Sequence, residues 1–140
     1  MPRRSRPAGQ TRDAGFQVGA RRTLAVTPAQ AWEFLVSPEG TTTWLGDTGG
    51  AALAAGARLA LPNGGSAHVT VFDPGSHLRM RWQPGVWPRD SIIQLRVIPS
   101  GKRATVAFHQ EHMPGPAERE QRQQHFVAAL DQIEAALTSD

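Results

Sequence analysis

Between Pro116 and Leu137 the chain reads PAEREQRQQHFVAALDQIEAAL, with Phe126, Leu130, Ile133 and Leu137 recurring at intervals of four, three and four. With Ala129 and Ala136 beside them, these residues lay one apolar stripe along a helix and leave Arg119, Arg122, Asp131 and Glu134 for water. Pro116 suits the first helical position, and Glu118 and Glu120 fall where the positive end of the helix dipole favours acids. A stripe of this kind must be buried, and the segments before it supply a cover.

Those segments alternate with the period of strands. From Phe16 onward, Phe16, Val18, Ala20, Leu24 and Val26 share one face while Gln17, Arg21 and Thr23 share the other, with Arg22 breaking the inward set. Thr27-Pro28-Ala29-Gln30 then opens a helix: Thr27 caps, Pro28 takes the first position, and Gln30 stands where a capping-box partner belongs. Pro28, Ala31, Trp32 and Leu35 form its buried face, and Ser37-Pro38 starts a second short helix that carries Trp44 and Leu45 and stops at Gly46. After the Gly/Ala-rich connector Asp47 to Gly56 come five strands: Ala57–Leu61, Ser66–Asp73, His77–Gln83, Ser91–Ile98 and Ala104–His112. Val69 and Val71 point inward, as do Leu78, Met80 and Trp82, then Ile93, Leu95 and Val97, and finally Val106, Phe108 and Gln110. Short turns at Pro62-Asn63-Gly64-Gly65, Pro74-Gly75 and Pro99-Ser100-Gly101-Lys102 make the neighbours antiparallel. Strand, two short helices, about five strands and a long helix form an α+β layout with segregated elements.

Residues 1–15, MPRRSRPAGQTRDAG, have no apolar period and are expected to be a disordered basic tail, with one folded domain over 16–140. Six arginines against Asp13 give the first 22 residues a charge of +5, whereas the other 118 carry nine basic and eleven acidic groups, −2. The basic balance therefore belongs to the tail. A nucleic-acid reader places its basic patch on the fold, so no nucleic-acid partner is expected. The absence of cysteine excludes disulfides and thiolate metal sites. No run is apolar for long enough to span a membrane, and the basic N-terminus has no apolar stretch after it, so a soluble cytoplasmic protein is expected.

TPAQAWEFLVSPEGTTTWLG, HLRMRWQPGVWPRDSIIQLRV and AFHQEHMPGPAEREQRQQHFVAAL, in this order and spacing, resemble the SRPBCC (START-like) superfamily. Within it the chain is most similar to the AHSA1-like branch, the homologues of the C-terminal domain of the Hsp90 ATPase activator, over about residues 16–137. The resemblance implies a helix-grip fold: a curved antiparallel sheet of six to seven strands wrapped around the C-terminal helix, with a cavity between them. It also implies a small hydrophobic ligand, polyketide cyclase- or dehydratase-like chemistry, or assistance to a chaperone, and it carries no universal catalytic residues.

If sheet and helix enclose a pocket, its walls are the inward residues Trp44, Val71, Met80, Trp82, Leu95, Phe108, Phe126 and Leu130, with Gln110 the one polar group turned in. Such a lining suits a small apolar or aromatic ligand fixed by one or two hydrogen bonds; the alternative is a filled core. His109 and Glu111 share a strand face with Arg79, Arg81 and Arg96, while His112 falls opposite, so surface ion pairing is expected there and no metal site. His125 flanks the helix stripe, but no carboxylate is placed to make it a general acid. GxSxG, P-loop, Rossmann and HExxH patterns are absent, and neither a cofactor nor catalytic residues can be named. Three functions follow in order: a ligand-binding domain, a cyclase- or dehydratase-like enzyme using the same cavity, and a chaperone-activating interaction module. The protein is expected to be a monomer or a homodimer.

Overall fold

A computed structural model of the chain describes residues 10–11 and 15–138. The basic tail expected over residues 1–15 lies outside the described residues except for Gln10, Thr11 and Gly15. Ten elements follow in order: β1 (Gln10–Thr11), β2 (Gly15–Leu24), α1 (Pro28–Val36), α2 (Pro38–Trp44), β3 (Arg58–Ala60), β4 (Ser66–Asp73), β5 (His77–Gln83), β6 (Ser91–Ser100), β7 (Arg103–Met113) and α3 (Pro116–Thr138). A single 3-10 turn, Pro62–Gly64, joins β3 to β4. The strands form one antiparallel sheet in the order β1-β2-β7-β6-β5-β4-β3. α1 packs on β6 and β7, α3 lies along β2 and β7, and α2 packs against both helices. This is the α+β helix-grip architecture expected from the sequence.

Local chemistry accounts for the elements. Thr27 Oγ1 accepts from the Gln30 backbone N–H while Gln30 Oε1 accepts from the Thr27 N–H, a complete capping box. Ser37 ends α1 and caps α2 in one step, its Oγ donating to the Phe34 carbonyl and accepting from the Gly40 N–H. Gly40 is needed at this corner because any Cβ there would overlap the Phe34 carbonyl. Arg22, which broke the inward set of β2, reaches across to α3: Nη1 lies 2.6 Å from Asp131 Oδ1 and 3.4 Å from Glu134 Oε1. An inward phase beside the helix gives this arginine two acids instead of a core position.

Two bulges re-aim the alternation. In β4 the register slips between Val69, opposite Met80, and Val71, opposite Arg79. The extra residue sends Val71 to the outer face at 39% exposure and brings Phe72 inward against Trp32, ring centroids 5.6 Å apart. Val71 is therefore not a pocket wall. In β7 the slip falls between the partners of Phe16 and Val18, and His112 adopts φ +65°. Met113 then takes the buried position that strict alternation assigns to His112.

Candidate functional site

At the middle of α3 the helix meets the sheet directly. Phe126 stacks on Phe108 with centroids 4.9 Å apart and planes 16° apart, and Phe108 packs in turn on Trp44 at 5.6 Å. Trp44, Met80, Leu95, Phe108, Phe126 and Leu130 are all buried. Nothing fits between rings at that separation, so six of the nine expected lining residues build a filled core. Trp44 also secures the two-helix corner, its Nε1 donating to the Leu35 carbonyl at 3.1 Å.

Trp82 and Gln110, the remaining two, belong to a different arrangement one turn nearer the start of α3. Its centre is Arg122, which the amphipathic reading left for water and which is only 9% exposed. Four residues before Phe126, Arg122 continues the buried stripe rather than the polar face. Arg122 Nε donates to Gln110 Oε1 at 2.7 Å, Gln110 Nε2 donates to Ser91 Oγ at 2.8 Å, and Ser91 Oγ donates to the Trp82 carbonyl at 2.9 Å. Ser91 takes the first inward position of β6, so three neighbouring strands and α3 each contribute one group. The guanidinium carbon lies 4.2 Å from the Trp82 ring centroid and 4.8 Å from that of Phe126, and Trp87 sets its edge against Trp82 at 5.2 Å. Trp87 comes from the loop between β5 and β6 and is held there by Gln83 Nε2, which donates to its carbonyl at 2.7 Å.

Two buried donors in this cluster have no partner: Arg122 Nη2 and Trp82 Nε1. Buried polar groups are nearly always paired, so two orphans side by side mark the site as unusual. Among the described residues no carboxylate lies within salt-bridge distance of Arg122; the salt bridges found are made by Arg22, His77, Arg79 and Arg81. Burial alone lowers the Arg122 pKa from its usual value to about 10, which leaves it charged at neutral pH. The exposures of Trp82 and Trp87, 8% and 9%, against 0% for Phe126, put the cluster just under the surface.

His125 faces the filled core beside it. Its Nε2 donates to the Trp44 carbonyl at 2.7 Å, and its ring packs edge-on against Phe126. Burial and, secondly, the Arg122 charge push its pKa below 6.5, against the hydrogen bond to Trp44, which raises it. On the opposite face of the sheet, Arg79 pairs with Glu111 at 3.5 Å, an ion pair of the kind expected there, whereas His109 hydrogen-bonds the neutral Gln17 Oε1 at 2.9 Å and not an arginine's partner acid. A concavity of about 1010 Å³ is lined by Arg81, Gln83, Pro88, Arg89, Asp90 and His112, and so borders the loop that carries Trp87. No helix among the described residues is long and apolar enough to cross a membrane.

Residues 25–138 match the family model described as "Activator of Hsp90 ATPase homolog 1-like protein". The chain belongs to this family. No curated protein matches it. Among solved structures, DynU16, a protein of the dynemicin biosynthetic locus, is 18% identical with a TM-score of 0.73 over 88% of this chain. This chain spans only 47% of DynU16. CalU16 from Micromonospora echinospora is 17% identical, TM-score 0.74, over 89% of this chain and 75% of its own. The Aha1 dimer from Colwellia psychrerythraea is 16% identical, TM-score 0.72, over 88% of this chain and 96% of its own. At these identities the structural likeness establishes a common fold. The family match spans α1, α2, the strands from β3 to β7 and α3, and so includes every member of the Arg122 cluster.

Proposed function

We propose that this member of the Hsp90 ATPase activator-like family is a small-molecule-binding domain whose site lies at the Arg122 end of the sheet–helix interface. The observation that carries the reading is the pair of unpartnered buried donors, Arg122 Nη2 and Trp82 Nε1, set among the aromatic faces of Trp82, Trp87 and Phe126. Leaving two such donors unpaired costs free energy that a bound acceptor recovers. Mostly apolar walls with a few fixed polar groups are the usual make-up of a small-molecule site. The loop that bears Trp87 is the natural cover, since the adjacent Val86 is 88% exposed and holds nothing in place.

Binding is favoured over cyclase- or dehydratase-like chemistry in the same place. Such a reaction needs a proton donor and an acceptor facing the bound molecule. Arg122 keeps its proton at neutral pH, and His125 spends its N–H on the Trp44 carbonyl. The test is a melting-temperature screen with one- and two-ring aromatics and medium-chain lipids, followed by NMR of the tryptophan indole N–H signals. Ligands are expected to raise the melting temperature by binding the native state and to shift the Trp82 indole signal. A flat screen with unmoved indole signals refutes the reading.

The family match supports a second reading, an interaction module for a chaperone ATPase. Its measurement is ATP turnover by an Hsp90-type partner, and unchanged turnover at saturating protein eliminates it. The large exposed apolar residues Val71, Val86, Ile98 and Val127 lie on β4, a loop, β6 and α3, and supply no evident docking patch.

A further inference from the structure

The direction of every hydrogen bond in the Arg122 cluster restricts what it can receive. Arg122 gives to Gln110, Gln110 gives to Ser91, and Ser91 gives to the Trp82 carbonyl. The string runs one way and ends on backbone, so its acceptors are engaged and the orphaned groups left over are N–H donors. A ligand must therefore present an acceptor. The guanidinium also carries a buried charge that no described acid neutralises, and a neutral acceptor would satisfy its geometry without its charge. Two donors, one cation and aromatic walls suit a single negative charge; a phosphate dianion would bring more charge than the site can balance. The guanidinium is flanked by the Trp82 and Phe126 rings, which calls for a flat apolar frame beside the anion.

We propose that the site is selective for monoanionic aromatic carboxylates, the carboxylate accepting from Arg122 Nη2 and Trp82 Nε1 while the ring takes the place against Trp82 that Trp87 fills in this structure. This rests on the binding reading above and goes further by naming the ligand class. Gln110 and Ser91 act as positioning residues: they fix the guanidinium plane through Nε and leave Nη2 aimed at the ligand.

Isothermal titration of the full chain with matched pairs, benzoate against benzamide and 2-naphthoate against 2-naphthamide, tests it. The acid is expected to bind about tenfold or more tightly than its amide, the margin of a charge-assisted hydrogen bond over a neutral one. Arg122→Met should remove that preference by weakening the acid far more than the amide, and Trp82→Phe, which keeps a ring and deletes the donor, should weaken the acid several-fold. If amides bind the wild type as well as acids, or acids bind Arg122→Met undiminished, the carboxylate assignment fails while the binding site stands. If neither acids nor amides bind the wild type, the binding reading and the carboxylate assignment fail together. Should Arg122→Met not fold, Trp82→Phe decides: an unchanged acid affinity overturns the proposal.

Discussion

Replacing Gln110 by leucine should damage this protein more than replacing the arginine it serves. In Gln110→Leu, Arg122 Nε loses the acceptor it holds at 2.7 Å, and Nη2 is already unpartnered. Leaving a buried charged donor without its acceptor costs about 3 kcal/mol. Arg122→Met has two opposing parts. The fall of the Arg122 pKa from its usual value to about 10 corresponds to about 3 kcal/mol of burial penalty on the charged form, and methionine lifts that penalty. Against it, Gln110 Oε1 is left buried and unpaired, at about 1–3 kcal/mol, while sulfur–aromatic contacts replace most of the cation–π attraction to Trp82 and Phe126. The single Arg122→Met variant should therefore lie within about 2 kcal/mol of wild type. The double variant Arg122→Met/Gln110→Leu strands neither group, and Ser91 keeps its bond to the Trp82 carbonyl. It should equal or exceed wild type, as replacement of buried charged clusters by packed apolar groups often does. Urea unfolding followed by far-UV circular dichroism measures all four corners of this cycle, with about 3 kcal/mol moving the midpoint by roughly 1–3 M. Additivity within about 0.5 kcal/mol, or a neutral Gln110→Leu, refutes the claim that the guanidinium is buried without a counter-charge.

Three further outcomes are expected. Phe126→Ala should cost about 3–5 kcal/mol because its ring fills the space against Phe108, whereas Val71→Ala on the outer face should stay within about 0.5 kcal/mol; equal effects in chemical denaturation would return Val71 to the core. Gly40→Ala should lower the melting temperature sharply, since its Cβ has to displace the Phe34 carbonyl and with it the α1–α2 corner; a wild-type melting temperature contradicts that packing. His125 is held neutral in the fold, by burial first and by the Arg122 charge second, so the unfolded chain takes up its proton at higher pH than the native one. Its contribution is complete above about pH 6.5 and is lost as pH falls below that value toward the lowered native pKa. His125→Gln should flatten this part of the stability–pH curve and Arg122→Met should shrink it; a curve identical to wild type in both denies the coupling.

Much of the fold can be read from residue spacing because the burial it encodes is periodic. The capping box at Thr27 and Gln30, the antiparallel strand run and the stripe from Phe126 to Ile133 all follow from local patterns. Val71 was misplaced because a bulge adds one residue to β4 and reverses every side chain after it, and no residue in HVTVFD signals the insertion. The charge of Arg122 points to the polar face, but its position does not: Arg122 stands four residues before Phe126 and Ser91 two before Ile93, both in the buried phase. A polar residue at a core phase is the available signal for this cluster. Arg22 shows its limit, since the same signal there marks a surface pair with Asp131. Trp87 sits in a loop without periodicity, where spacing says nothing.

The bulge in β7 also explains why the cluster forms at this end of the sheet. Up to Gln110 the strand alternates regularly, with Val106, Phe108 and Gln110 facing α3. Continued alternation would turn His112 inward, two residues from Gln110 and toward the helix that carries Arg122. His112 at φ +65° instead absorbs the extra residue, turns its imidazole away and buries Met113 in its place. Asparagine, aspartate and histidine tolerate that backbone region better than most residues, so the bulge is cheap at this position. Its result is that the apolar Met113, and not an imidazole, fills the inner face beyond Gln110.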